Sequence, residues 1–210
     1  MLQVISFVLG PVATNAYLIA DDRTGEAAVI DPAWDGQVIV AEAGSRGWRI
    51  GQIWITHAHF DHIAGIGPIL ACSKPPPSIA LHPADLPLWK AKGGAEWFGI
   101  QIGAIPQPDT LLYAGQVLRV GQYEFEVRHT PGHSLGHVIF YCAAENLAFC
   151  GDTIFAGSVG RTDLPGGDEE TLIESIRGQI FTLPDPTRLL CGHEQETSVG
   201  NERKSNPYLR

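Results

Sequence analysis

Short apolar runs cut by turn-forming residues recur from the start of the chain. Val4-Ile5-Ser6-Phe7, Ala16-Tyr17-Leu18-Ile19 and Ala27-Ala28-Val29-Ile30, broken by Asp21-Asp22 and Gly25, predict three strands. Asp31-Pro32 closes the third, and Asp31 itself reads as a turn former. From Asp35 to Arg46, Val38, Ile39, Ala41 and Ala43 fall at helical spacing with Gly47 as a stop. Ile53-Trp54-Ile55 is β-branched and aromatic, which predicts a buried strand, and a helix begins at Asp61 and runs to Ile66. Lys74-Pro75-Pro76-Pro77 forces an extended connection, Ser78 to Leu81 predicts a strand, and Pro83 starts a helix towards Trp97.

Beyond Thr110 the pattern changes to strands joined by short turns: Val117 to Val120, Tyr123 to Val127, Val138 to Tyr141 and Leu147 to Cys150. Leu172, Ile173, Ile176 and Ile180 share one face of a helix from Asp168 to Phe181, with acidic residues in its first turn where they favour the dipole. Thr187 to Cys191 makes a last strand. Two sheets with helices outside both predict an α/β fold, a four-layer αββα sandwich whose loops meet along one edge. Gly and Pro are spread evenly, and no linker or repeat divides the chain, so residues 1–210 read as one domain.

Composition narrows the partners. A net charge of -9 excludes a general nucleic-acid or anionic-membrane surface, which needs clustered Lys and Arg. Met1 to Ile19 lacks the basic opening of a signal peptide, and no run is long enough to span a membrane, so a cytoplasmic protein is expected. Cys72, Cys142, Cys150 and Cys191 form no CxxC pair and lie in or beside apolar stretches, which predicts buried free thiols. The oligomeric state is left open.

The chemistry concentrates in His57-Ala58-His59-Phe60-Asp61-His62, where four of six residues are potential metal ligands at the end of a strand. On extended backbone His57 and His59 point the same way, and the turn into a helix lets Asp61 and His62 address a second point. Three more strand ends each carry a ligand type straight after a glycine: Gly132-His133, Gly151-Asp152 and Gly192-His193. His82, His129 and His137 lack ligand spacing and read as structural.

Together these motifs resemble the metallo-β-lactamase superfamily over nearly the whole chain, in order. Gly160-Arg161-Thr162-Asp163 and Asn201 to Pro207 look like the compact glyoxalase II-like hydrolases, the hydroxyacylglutathione hydrolase type. The resemblance implies two divalent ions: one held by His57, His59 and His133, the other by Asp61, His62 and His193, with Asp152 bridging. Imidazole and carboxylate suit zinc, and the same set accepts iron or manganese. The implied reaction is attack of a metal-bridging hydroxide on a small-molecule thioester such as S-lactoylglutathione, with Asp61 as the residue that orients the water or takes its proton. Asp163 is a candidate to accept a ring N–H from a liganding histidine, with Arg161 holding Asp163.

One departure concerns the substrate. Glyoxalase II resemblance over its full length calls for a further helical domain that supplies much of the glutathione site, and this sequence ends at Arg210, which leaves Arg203, Lys204 and Tyr208 as substrate-binding candidates. The alternative is a persulfide dioxygenase holding a single iron through His57, His133 and Asp152. A carboxylate at Asp152 argues against a true β-lactamase, whose site lacks that bridge.

Overall fold

The computed structural model describes Met1–Arg210. Strands β1 (Leu2–Leu9), β2 (Thr14–Asp21) and β3 (Glu26–Ile30) pair antiparallel in sequence. Helix α1 (Gly36–Ser45) carries the chain back, so β4 (Arg49–Trp54) lies parallel to β3, as a helical crossover allows. Short helices α2 (Phe60–Ile63) and α3 (Ile66–Cys72) lead to β5 (Ser78–Leu81). After α4 (Leu86–Lys90) the two-residue β6 (Thr110–Leu111) completes a sheet of order β1-β2-β3-β4-β5-β6.

The second sheet takes β7 (Val117–Val120), β8 (Tyr123–His129), β9 (Val138–Cys142) and β10 (Leu147–Gly151) as an antiparallel meander. A small hairpin, β11 (Ile154–Phe155) with β12 (Ser158–Val159), precedes α5 (Glu169–Ser175). Then β13 (Arg188–Cys191) joins β10 in parallel, and β14 (Thr197–Ser198) leads into α6 (Val199–Ser205). Because β8 and β10 each run antiparallel to β9, and β13 runs with β10, the C-terminal ends of β8, β10 and β13 fall on one edge.

Side-chain alternation sorts the residues into layers. In β2, Ala16, Leu18 and Ala20 face the helical side while Tyr17 and Ile19 face the second sheet; in β9, Val138, Phe140 and Cys142 face inward while Ile139 and Tyr141 meet α5. Three apolar clusters result: α1 and α3 on the first sheet, sheet on sheet, and the second sheet on α5 and α6. This is the expected αββα sandwich. Trp54 anchors its middle, with ring centroids 5.1 Å from Phe125 and 5.4 Å from Phe140.

The helices depart from their expected lengths for local reasons. The helix from Asp61 stops at Ala64, because Gly65 donates its N–H to the Pro32 carbonyl at 2.7 Å. The helix from Pro83 towards Trp97 breaks into α4 and flanking 3-10 turns, with Gly93 and Gly94 at φ 66° and 73°. Past Ser175 the predicted helix widens into a π turn over Ile176–Ile180. No helix is long and apolar enough to cross a membrane. Cys142, Cys150 and Cys191 are buried free thiols; Cys72, at the end of α3, is exposed instead.

Candidate metal centre

The seven ligand-type residues converge on one edge of the sandwich. His57, His59, Asp61 and His62 come from the loop after β4 and the first turn of α2, His133 from the turn after β8, Asp152 from the end of β10 and His193 from the end of β13. A register shift between Phe149 and Gly151 lets β10 turn there, with Gly151 at φ 46°. The sheets are stitched together at this edge. Thr14 bridges to His193, and Asn15 donates to the Gly192 carbonyl at 2.7 Å.

Two donor sets stand side by side. In the first, His133 Nε2 lies 2.8 Å from His59 Nδ1 and 3.1 Å from His57 Nε2. In the second, Asp61 Oδ2 lies 3.4 Å from His62 Nε2 and 3.2 Å from His193 Nε2. Asp152 faces both: Oδ1 is 3.4 Å from His62 Nε2, while Oδ2 is 3.5 Å from His193 Nε2 and 3.6 Å from His133 Nε2. Donors about 2.0–2.2 Å from a tetrahedral ion sit roughly 3.3–3.6 Å from one another, which the second set and Asp152 match, while the imidazoles of the first set are drawn in somewhat closer. His62 Nε2 and Asp152 Oδ1 are buried with no hydrogen-bond partner, which a protein rarely tolerates unless something else meets them. The residues fit a pair of divalent ions.

Electrostatics divides the sets in the same way. Burial pushes His57 well below the usual imidazole range and takes His59 down to about 3, and neighbouring imidazoles add to both shifts. His133 is lowered by burial too, so the first set consists of neutral imidazoles, the form that ligates. In the second set burial opposes charge, but the His62 and His193 imidazoles outweigh it and hold Asp61 at about 2. Asp152 is held well below its usual range by the same two histidines against burial. Despite burial, Asp61, Asp152 and Asp31 raise His62, and hydrogen bonds to Asp152 and Asp61 lift His193 to about 10.

The rings are oriented from behind. His62 Nδ1 donates to Asp31 Oδ2 at 3.0 Å, and Asp31 also accepts from the Thr56 N–H at 2.8 Å and the Thr56 hydroxyl at 2.6 Å. His57 Nδ1 meets the same hydroxyl at 3.1 Å. Each bond leaves Nε2 free to face the centre. Asp31 is therefore a buried orienting carboxylate and not merely a turn former, and its φ of 48° departs from the extended backbone that a following proline favours. Thr14, whose hydroxyl donates to Asp61 Oδ2 at 2.8 Å, had no signal in the sequence.

Other expectations are redistributed. His133 Nδ1 donates to the backbone carbonyl of Arg161 at 2.7 Å, so the ring N–H for which Asp163 was a candidate acceptor goes to the backbone two residues earlier. The Asp163 side chain instead forms an exposed two-point pair with Arg161 at 2.7 and 2.8 Å. Arg203 turns away to Asp185 and the Phe181 ring, and neither it nor Lys204 nor Tyr208 lines the cavity over the ligands. That cavity, about 260 Å³, is walled by Val12, Phe60, Phe98, Ile100, Arg161 and Leu164. His137 is structural as read: buried, it accepts the Asp152 N–H at 3.0 Å, and His82 stacks on His129.

A family model described as the metallo-beta-lactamase superfamily matches residues 9–193. The chain is 37% identical over 206 residues to a probable metallo-hydrolase of Bacillus subtilis, covering 96% of this chain and 94% of that one. It is 34% identical over 197 residues to a hydroxyacylglutathione hydrolase of Haemophilus influenzae, with 93% and 92% covered. The hydroxyacylglutathione hydrolase of Maricaulis maris is 36% identical over 178 residues, but the chain spans only 61% of its length. Among solved structures, the BLEG-1 B3 metallo-beta-lactamase superposes with a TM-score of 0.90 at 35% identity, covering 100% of this chain and 99% of that one. TTHA1623 in a di-iron-bound form gives 0.88 at 37% identity, with 98% and 100% covered.

Proposed function

Because the chain belongs to the metallo-β-lactamase superfamily, we propose that it is a dinuclear metal-dependent hydrolase of a small-molecule thioester, S-lactoylglutathione or a related acyl thioester. The observation that carries this reading is the second donor set, Asp61, His62 and His193, with Asp152 facing both sets. A single iron on His57, His133 and Asp152, as a persulfide dioxygenase would hold it, leaves that set and its orphaned His62 Nε2 without a task. Homologues named for hydroxyacylglutathione hydrolysis support the thioester.

His57, His59 and His133 would hold one ion and Asp61, His62 and His193 the other, with Asp152 shared. Zinc suits these donors, and iron or manganese is accepted by the same set. Such ions acidify water and polarise a carbonyl when bound. The chain's own residues do the positioning. Thr14 fixes Asp61, Asp31 fixes His62, and the Arg161 carbonyl fixes His133, so the donors are set before substrate arrives. Asp61, held ionised and only slightly exposed, is the carboxylate placed to orient a water or receive its proton. Val12, Phe98, Ile100 and Leu164 would give the reacting carbonyl an apolar surround.

Metal analysis with a substrate panel tests the reading. We expect two ions per chain and hydrolysis of thioesters well above that of a chromogenic β-lactam. One iron per chain with oxygen uptake on glutathione persulfide, or no cleavage of any thioester by zinc-, iron- or manganese-loaded protein, would end it.

A further inference from the structure

A second hollow, about 280 Å³, adjoins the cavity over the metal centre. Neighbouring residues along three stretches line the one and the other: Phe98 and Trp97, His133 and Ser134-Leu135, Leu164 and Pro165-Gly166. The second hollow is walled mainly by Pro87, Leu88, Trp97, Leu135 and Pro165. Its polar side chains, Asp85 and Ser134, are hydrogen-bonded to each other at 2.9 Å, so an apolar guest strands no buried donor or acceptor. Trp97 and Leu135 are 49% and 57% exposed, large apolar surfaces beside a reactive centre.

Charge points the same way. Arg161, the guanidinium at the rim of the metal-centre cavity, is already neutralised by the two-point pair with Asp163, and the chain carries a net charge of -9. Neither hollow offers an unpaired cation to an anionic carrier. What the two hollows offer in common is apolar wall.

We propose that the second hollow is an acyl pocket, and that the preferred substrate is a thioester of a saturated medium-chain fatty acid, its carbonyl at the metal centre and its hydrocarbon tail against Trp97, Leu135 and Pro165. This rests on the hydrolase reading above and narrows its substrate. Water adds to the thioester carbonyl, the C–S bond breaks, and the thiol leaves with the proton that the carboxylic acid's hydroxyl does not keep. Each methylene buried in the hollow contributes about 0.8 kcal/mol, a gain of about fourfold in kcat/KM per carbon until the tail fills the space.

The experiment is a series of thioesters from acetyl to octanoyl on one small neutral thiol, N-acetylcysteamine, with the metal-loaded full chain. The expected result is a kcat/KM that climbs with chain length and then levels, and an octanoyl-to-acetyl ratio that falls at least tenfold in Leu135→Ser and Trp97→Ser. Calorimetry with the non-hydrolysable octanoyl amide should show binding with a negative heat-capacity change, independent of turnover. Cleavage of all chain lengths with equal efficiency, or no heat with the amide at any temperature, overturns the pocket and leaves hydrolysis standing. A dimer that Trp97→Ser converts to monomer, with a flat chain-length profile, also overturns it, by showing a second copy on that surface. Binding of the amide without cleavage of any thioester takes down the hydrolase reading instead.

Discussion

Asp31 stands behind His62, and one carboxylate orders three donors from two neighbours: the Thr56 N–H, the Thr56 hydroxyl and His62 Nδ1. Asn at this position would turn an amide N–H towards groups that are themselves donors. Asp31→Asn should therefore lower metal affinity or activity by about 10- to 100-fold, the usual penalty for losing an orienting partner behind a ligand. Competition with a chromogenic chelator, read alongside thioester turnover, checks it; unchanged affinity would show that His62 needs no such support. Gly192 makes a different demand. A Cβ there would lie 2.1 Å from Asp152 Oδ1 and 2.9 Å from His62 Cε1, inside the second donor set. On the proposed dinuclear reading, Gly192→Ala should leave a folded protein whose metal content falls from two ions towards one, measured by elemental analysis after gel filtration. Retention of both ions would mean that Asp152 can step aside.

Among the elements, the two loops that carry the first donor set are tied through a residue that belongs to neither. Asp85, buried just before α4, accepts from the Ala58 N–H at 2.9 Å, the Ser134 hydroxyl at 2.9 Å and the Gly136 N–H at 2.6 Å. Ala58 lies between His57 and His59, and Ser134 follows His133, so Asp85 sets the distance between the loops. Asp85→Ala strands three buried donors, each costing about 1–3 kcal/mol and not fully additive. At about 2–4 °C per kcal/mol for a chain of this size, the metal-free protein should melt about 5–10 °C lower, and Asp85→Asn should recover part of the loss. Equal melting of all three proteins would deny Asp85 this role. Such ties explain what could be read from the residues in advance. The strands and the seven converging residues were visible because alternation, the ligand cluster from His57 to His62 and a ligand straight after a glycine are local patterns. Asp31, Thr14 and Asp85 were not, since an aspartate at a strand end has the same local signature whether it turns the chain or accepts from a histidine 31 residues away. The helix from Pro83 failed for the same reason: Gly93 is shaped by the Phe60 backbone, against which a Cβ would sit 2.2 Å from the amide nitrogen. The pairing of Arg203 with Asp185 was no more legible, because its partner lies across a loop.

For the whole molecule, the donors' origin decides how metal and stability are coupled. His57, His59, Asp61 and His62 follow the first sheet, while His133, Asp152 and His193 follow the second, so each donor set draws on both halves of the sandwich. An ion held by both sets of loops opposes separation of the sheets at that edge and adds to direct ties such as Asn15 to Gly192, Tyr17 to Cys191 and Val138 to Thr56. Without it the acidic pair Asp61 and Asp152 is offset only by charge on His62 and His193. A ligand that binds only the folded chain stabilises it by about 4 kcal/mol at a thousandfold excess over its dissociation constant. Chelation should therefore lower the melting temperature by roughly 8–16 °C, and returning zinc, iron or manganese should restore it in proportion to the logarithm of free metal. In His193→Ala, which removes a second-sheet donor, the same chelation should produce a smaller drop. A melting temperature indifferent to chelator in the native chain would mean that the sandwich closes without its ions, and that the donor sets are held in place entirely by the contacts behind them.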